Sequence, residues 1–416
     1  MDANWRWAHV IDDYVNCYSG NAWDSSYCPN GPTCTSNCAI DGVDKASWGG
    51  TYGVTSDSDG IRLVFVTAGP YSNNIGSRVY LMDTDDLNYR MFKLKNREFT
   101  FDVDVSGFGC GLNAAVYFVE MDRDGGYAEY SGNEVGANFG TGYCDAQCPH
   151  DVKWVAGEAN CNNWKPSPTD QNSGAGQYGC CCYEMDIFEA NNMAASYTPH
   201  DCAITGFHKC EGTECGDNDS GERYDGVCDK DGCDWAAYRL NQKDFYGPGS
   251  QYTVDTTKAF TIVTQFITSD GTDSGELVEI RRKYVQNGQV IENPPTNFME
   301  MGIPPYDSVT MDYCNDIKTY FGDINDFELK GGLKAMGDAL DRGLVLTMSV
   351  WDDHFAYMLW LDGQYPVDVP ADTPGVMRGP CPTDSGRPAD LEANVPNSAV
   401  RYFNIKYGPI DSTYPH

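Results

Sequence analysis

The sequence predicts an all-β protein, an antiparallel sandwich or barrel, on three observations. Short runs alternate apolar and polar residues, as in FTFDVDVS, where Phe99, Phe101, Val103 and Val105 share one side. Glycine-rich turns such as Asp124-Gly125-Gly126 separate the runs, and no strand–helix rhythm links them. The composition agrees: 44 glycines, 27 tyrosines and 13 % aromatics favour sheets, turns and stacking surfaces over helices.

Taken in order, residues 4–10 (NWRWAHV) put Trp5 and Trp7 two apart, on one face of a strand, as core or as an exposed stacking platform. Residues 17–41 form a turn-rich loop holding Cys17, Cys28, Cys34 and Cys38. Four thiolates could hold zinc, but the paired CxxC spacing is missing, which favours local disulfides. Strands are predicted over 61–67, 78–82, 98–105, 112–121, 259–269, 276–286, 344–351 and 399–408. Residues 326–341 are the one helix candidate, weakened by Gly331-Gly332. Two long excursions, 144–182 and 202–233, are poor in strand signal and rich in cysteine, and loops of that length are usually functional. DNDSGERYDG faintly suggests a calcium loop but lacks the twelfth-position glutamate. Asn218-Asp219-Ser220 is a glycosylation sequon. No linker or appended module is visible, so residues 1–416 are expected to form a single catalytic domain without a carbohydrate-binding module.

A net charge of −33, from 61 acids against 28 bases, repels phosphate backbones and argues against nucleic acid. A neutral glucan is indifferent to it. Eighteen cysteines, an even number, imply disulfides and hence a secreted, extracellular protein, although Met1 leads straight into DANWRWAH without a signal peptide. No run of 18 apolar residues exists, so no membrane span is expected. The histidines lack metal-ligand spacing; neither a metal nor a cofactor is expected, and the chain is expected to act as a monomer.

The stretch YEMDIFEANN places Glu184, Asp186 and Glu189 within six residues. On a regular strand Glu184 and Asp186 share the open face, and Glu189 turns inward, where an unpaired carboxylate is costly. A bulge near Ile187 or Phe188 would return it to the open face. Two carboxylates flanking a glycosidic bond are what sugar hydrolysis requires, and a third can keep their pKa values apart. A solvated acidic face is the plainer alternative.

These residues, with FDVDVSGFGCGLNAAVYFVEMDRDGG, GTGYCDAQCP, VWDDHFAYMLWLD and NIKYGPI, resemble glycoside hydrolase family 7 from Trp5 to Ile410. The resemblance implies a β-jelly roll of two curved, packed antiparallel sheets whose long loops roof a cellulose-binding cleft or tunnel. It implies retaining hydrolysis of β-1,4-glucan, with Glu184 as nucleophile, Glu189 as acid/base and Asp186 as tuning residue. Trp5, Trp7, Trp351 and Trp360 resemble sugar platforms, and His200 the histidine beside the catalytic subsites. Arg223 and Arg378 resemble arginines of the product end. Asp231, Asp234, Asp145, Tyr117, Asn113 and Asp352 resemble polar lining. His354 stands where cellobiohydrolases commonly carry tyrosine, and Phe188 where they commonly carry tryptophan.

By the same resemblance an N-terminal strand is missing, and Ala39 replaces a cysteine that bonds near it. Disulfides 17–38, 28–34, 110–381, 144–182, 148–181, 202–228, 210–215 and 233–314 are implied. Cys161 and Cys180 remain and are expected to bond to each other. Retention of the excursions 153–180, 203–228 and 362–379 favours a tunnel-forming cellobiohydrolase that releases mainly cellobiose. Asp219, at a loop tip where tyrosine is common, favours a tunnel that opens readily. An open-cleft endoglucanase is the alternative within the family, and a glucan-binding lectin on the same fold is the alternative outside catalysis.

Overall fold

The computed structural model describes residues 1–69, 72–217 and 222–415. Asn218, Asp219 and Ser220, with the expectations placed on them, lie outside that range. Two seven-stranded sheets dominate. Their strands, in chain order, begin with β1 (Val54–Ser56), β2 (Gly60–Val64), β3 (Ser77–Tyr80), β4 (Met91–Phe92) and β5 (Arg97–Asp104). β6 (Leu112–Val119), β7 (Glu184–Ala190), β8 (Ala195–His200), β9 (Trp235–Ala236) and β10 (Phe260–Thr268) follow. β11 (Leu277–Gln286), β12 (Gln289–Glu292), β13 (Leu344–Asp352) and β14 (Ala399–Pro409) complete them. One sheet runs β4-β13-β6-β7-β8-β9, with β3 also on β13; the other runs β12-β11-β10-β5-β14-β2-β1. The pairings within both are antiparallel.

The core lies between the sheets. The inward residues of β5 (Phe99, Phe101, Val103) meet Val116 and Phe118 of β6, Ile187 and Phe188 of β7 and Met348 of β13. Edge-to-face rings lock the contact, Phe99 on Phe118 at 5.0 Å and Phe101 on Phe188 at 5.8 Å.

The purely all-β, strongly curved jelly roll expected from the sequence is corrected to a mixed α/β sandwich, because helices pack onto the antiparallel sheets. Met311–Phe321 starts on Thr310, whose hydroxyl accepts from Tyr313 N, and ends at Gly322 with φ 75°. The candidate helix over 326–341 is two helices, Asp326–Leu329 and Gly332–Arg342. They break at Gly331 and Gly332, both at positive φ, which glycine alone adopts cheaply. The second buries Leu333, Met336, Ala339 and Leu340. Among the described residues no helix is long and apolar enough to cross a membrane.

All eight disulfides implied by the resemblance are present. The ninth, Cys161–Cys180, is not: both thiols are free. Cys180 is buried in an apolar cluster with Tyr143, Cys144 and Val155. Cys161 packs on a separate cluster around Cys17, Cys28 and Cys38. Between the two clusters, the Asn160 side chain donates to Val152 O at 3.1 Å and Tyr178 O at 2.8 Å. The segment is held instead by side chains: Trp164 Nε1 donates to Asn21 O at 2.8 Å, and Tyr18 Oη to Asn172 O at 3.1 Å.

Candidate active site

The carboxylate strand β7 lies between β6 and β8. Its register against β6 sets Asp186 opposite Tyr117, then Phe188 opposite Val116, so Ile187 is the extra residue of a bulge. Ile187 and Phe188 both enter the core with no exposed surface. Two consecutive inward residues bring Glu189 back beside Glu184 and Asp186, and all three line one cavity of about 1680 Å³. The bulge frees the Ile187 carbonyl. Arg282, buried on β11, donates its guanidinium to that carbonyl and to Thr264 Oγ1, the latter at 3.1 Å.

Each carboxylate has its own partner. Ala146 N donates to Glu184 Oε2 at 3.0 Å. Asn113 Nδ2 donates to Glu189 Oε1 at 2.9 Å, while its Oδ1 accepts from Ala190 N at 3.1 Å, which fixes the amide. His200 Nε2 lies 3.1 Å from Asp186 Oδ2, and its Nδ1 lies 2.9 Å from the Asp229 carbonyl. A carbonyl only accepts, so Nδ1 carries a hydrogen, and the Nε2–Asp186 contact holds one further proton. Burial raises all three carboxyls above their ordinary range. The negative charges of Asp186 and Asp145 push Glu184 up further, and Glu189 does the same to Asp186. Asp145, raised by its own burial, accepts from Tyr143 Oη at 2.5 Å, and the Tyr143 and Tyr117 hydroxyls meet at 3.0 Å.

Aromatic faces and charged pairs line the rest of the cavity. Trp351 and Trp360 stack at 6.2 Å, and the Trp360 indole N–H is tied to Asp353 Oδ2 at 3.0 Å. Trp5 donates to the Ile75 carbonyl at 3.1 Å and Trp7 to Asn16 Oδ1 at 2.7 Å. Both line the cavity, and Trp5, half-buried, also packs against the main core. Elsewhere along it, Arg223 pairs with Asp231 at 2.6 Å. Burial, then the nearby Arg239 charge, pulls the Arg378 guanidinium down to about 10. Every site residue expected from the sequence lines this cavity except Asn113, which reaches it through Glu189.

Sequence reasoning missed three contributors. Arg239 bridges Asp234 at 2.6 Å and Asp323 at 2.7 Å, and no motif marks it. Tyr143 lies inside GTGYCDAQCP without a distinguishing pattern. Arg282 did leave a signal: it shares the inward parity of Ile280 and Tyr284 in a strand, an unusual place for a guanidinium.

Carboxylates in a row on a bulged strand, beneath indole faces in a long groove, define a glycoside hydrolase. The chain belongs to glycosyl hydrolase family 7, whose model matches residues 1–414. It is 58 % identical over 412 residues to the exoglucanase GH7B of Limnoria quadripunctata, covering 99 % of this chain and 90 % of that protein. The crystal structure of a family 7 cellobiohydrolase from Daphnia pulex superposes with a TM-score of 0.98 at 57 % identity, over 99 % of this chain and 92 % of that one. The native endocellulase EGI of Humicola insolens superposes less closely, with a TM-score of 0.81 at 35 % identity over 100 % and 92 %.

Proposed function

We propose that Glu184 is the nucleophile, Glu189 the acid/base and Asp186 the residue that orients and tunes Glu184 in the retaining hydrolysis of β-1,4-glucan. Glu189, its proton held by burial, protonates the leaving glycosidic oxygen while Glu184 bonds to the anomeric carbon. Glu189, now a carboxylate, takes a proton from water as that water displaces Glu184 and restores the original configuration. Asp186, held by His200 at 3.1 Å, sits beside Glu184 and raises its pKa through its charge. Trp351 and Trp360 offer flat faces to the C–H surfaces of pyranose rings. Arg223 and Arg378 present charged donors to sugar hydroxyls. The bulge that gathers the carboxylates on one face is the observation that carries this reading.

The product is mainly cellobiose, released from chain ends through a roofed tunnel. Support for the roof comes from segment 161–175, tied on one side to Tyr18 and Asn21, the latter also accepting from the segment's own Trp164. On the other, His354 Nδ1 lies 2.9 Å from the Thr169 carbonyl. The substrates are cellulose and cello-oligosaccharides, and the enzyme works as a secreted, extracellular monomer whose residues 1–416 form one catalytic domain. Product analysis on crystalline cellulose, paired with viscosity loss on carboxymethyl cellulose, tests the reading. Mostly cellobiose with little viscosity change is expected. A rapid fall in viscosity with mixed oligosaccharides would make it an endoglucanase, and no sugar release from soluble cello-oligosaccharide would make it a lectin.

A further inference from the structure

Beyond the carboxylate row, at the other end of the pocket strand β13, a second group of ligating side chains converges. His354 Nε2 lies 3.7 Å from Glu392 Oε1, 3.9 Å from Asp170 Oδ2 and 4.0 Å from Asp352 Oδ1. Ligand atoms of Asp352, His354 and Glu392 all fall within 4.8 Å of one another. These separations are too long for direct hydrogen bonds. They suit a shared ion, because two donors each about 2.1 Å from a metal stand up to about 4.2 Å apart.

Two further features point the same way. His354 Nδ1 is engaged with the Thr169 carbonyl, which fixes the hydrogen on Nδ1 and leaves Nε2 free to donate its lone pair, the arrangement seen behind metal-bound imidazoles. Asp352 is 9 % exposed, and its Oδ2 is buried with no hydrogen-bond partner among the described residues. A carboxylate oxygen in that state needs a proton or a cation.

We propose that Asp352, His354 and Glu392 form a divalent cation site, with Asp170 as an outer acid, and that Zn²⁺ is a fitting occupant. One imidazole nitrogen with carboxylate oxygens suits a borderline first-row ion better than Ca²⁺ or Mg²⁺, which prefer all-oxygen shells. The ligands come from three places: the end of β13, the segment just beyond it, and the helix Pro388–Asn394. Asp170 and Thr169 belong to the roof segment. A bound cation therefore fastens the roof to the floor beside Trp351, whether or not the chain cleaves glucan as proposed.

The test is calorimetric titration of ZnCl₂ into chelator-treated protein without substrate, alongside thermal unfolding. One Zn²⁺ per chain is expected, with a raised Tm. Binding should be at least about tenfold weaker in both His354→Gln and Glu392→Gln, each of which should unfold cooperatively without zinc. Ca²⁺ should bind more weakly than Zn²⁺. Three outcomes would overturn the site: no binding to the wild type, unchanged binding in both variants, or equal affinity for Ca²⁺ and Zn²⁺.

Discussion

Asp186, buried, and Asp234, half-buried, line the same cavity, and their carboxyls shift in opposite directions. Burial raises Asp186 and the adjacent Glu189 charge raises it again. Burial also pushes Asp234 upward, but Arg239, Arg378 and Lys318 together outweigh it and hold the group below its ordinary range. Asp231 behaves likewise, its burial outweighed by Arg223 and Lys318. Neighbouring positive charge, with some difference in depth, separates the two regions. Where no guanidinium stands close, burial and like charge push the carboxyls up, which suits a group that must deliver a proton. Where arginines stand close, the acids are held down and serve as fixed partners for those guanidiniums.

Glu184→Gln should break the first region most severely. It keeps the accepting oxygen near Ala146 N but cannot form the glycosyl bond, so kcat should fall by about 10³-fold or more with cellulose binding retained. Initial rates on a soluble cellooligosaccharide measure this; more than a tenth of wild-type activity would refute the role of Glu184.

Arg239→Met attacks the second region, leaving Asp234 and Asp323 without their shared cation. A loss of roughly 3–5 kcal/mol in denaturant unfolding is expected. The depressed Asp234 carboxyl contributes stability that is present above its unfolded pKa and is lost as pH falls through the folded one. The variant's unfolding free energy should lack that acid-side component, and an unchanged pH dependence would contradict the comparison.

Asp186→Asn tests the coupling within the row. Removing the Asp186 charge lowers the Glu184 pKa, so the acid limb of the pH–rate profile should move to lower pH while kcat drops less than in Glu184→Gln. A limb that stays in place would separate the two groups.

Asp362→Asn gives the smallest effect. This fully buried carboxyl, which accepts from Gly111 N and Asn191 Nδ2, is raised from 3.8 to about 6 chiefly by burial. Its contribution to stability is full below the unfolded pKa and is lost as pH rises through about 6, an effect of roughly 3 kcal/mol at most. Thermal unfolding between pH 4 and pH 7 should therefore be flatter in the variant.

Period-2 patterning made most of the sheets legible. The run 98–105 became Arg97–Asp104 and 276–286 became Leu277–Gln286, because each alternates over a buried face. The bulge was legible for a related reason: a glutamate of wrong parity had to be re-aimed. The helix Met311–Phe321 was not, since Tyr313, Cys314 and Ile317 bury a narrow stripe among polar residues. Cys161–Cys180 failed because counting leftover thiols ignores which apolar cluster each one enters. Arg239 and Arg282 act across the chain, toward Asp323 and Ile187, and such contacts leave no local spacing.

The central claim is that the bulged strand supplies a nucleophile at Glu184 and a proton donor at Glu189. Trapping with a 2-deoxy-2-fluoro cellobioside, followed by peptide mass spectrometry, tests it directly. One fluorosugar bonded to Glu184 is expected in wild type, and none in Glu184→Gln. A label on Asp186 or Glu189 would contradict it, as would unlabelled enzyme releasing product of inverted configuration.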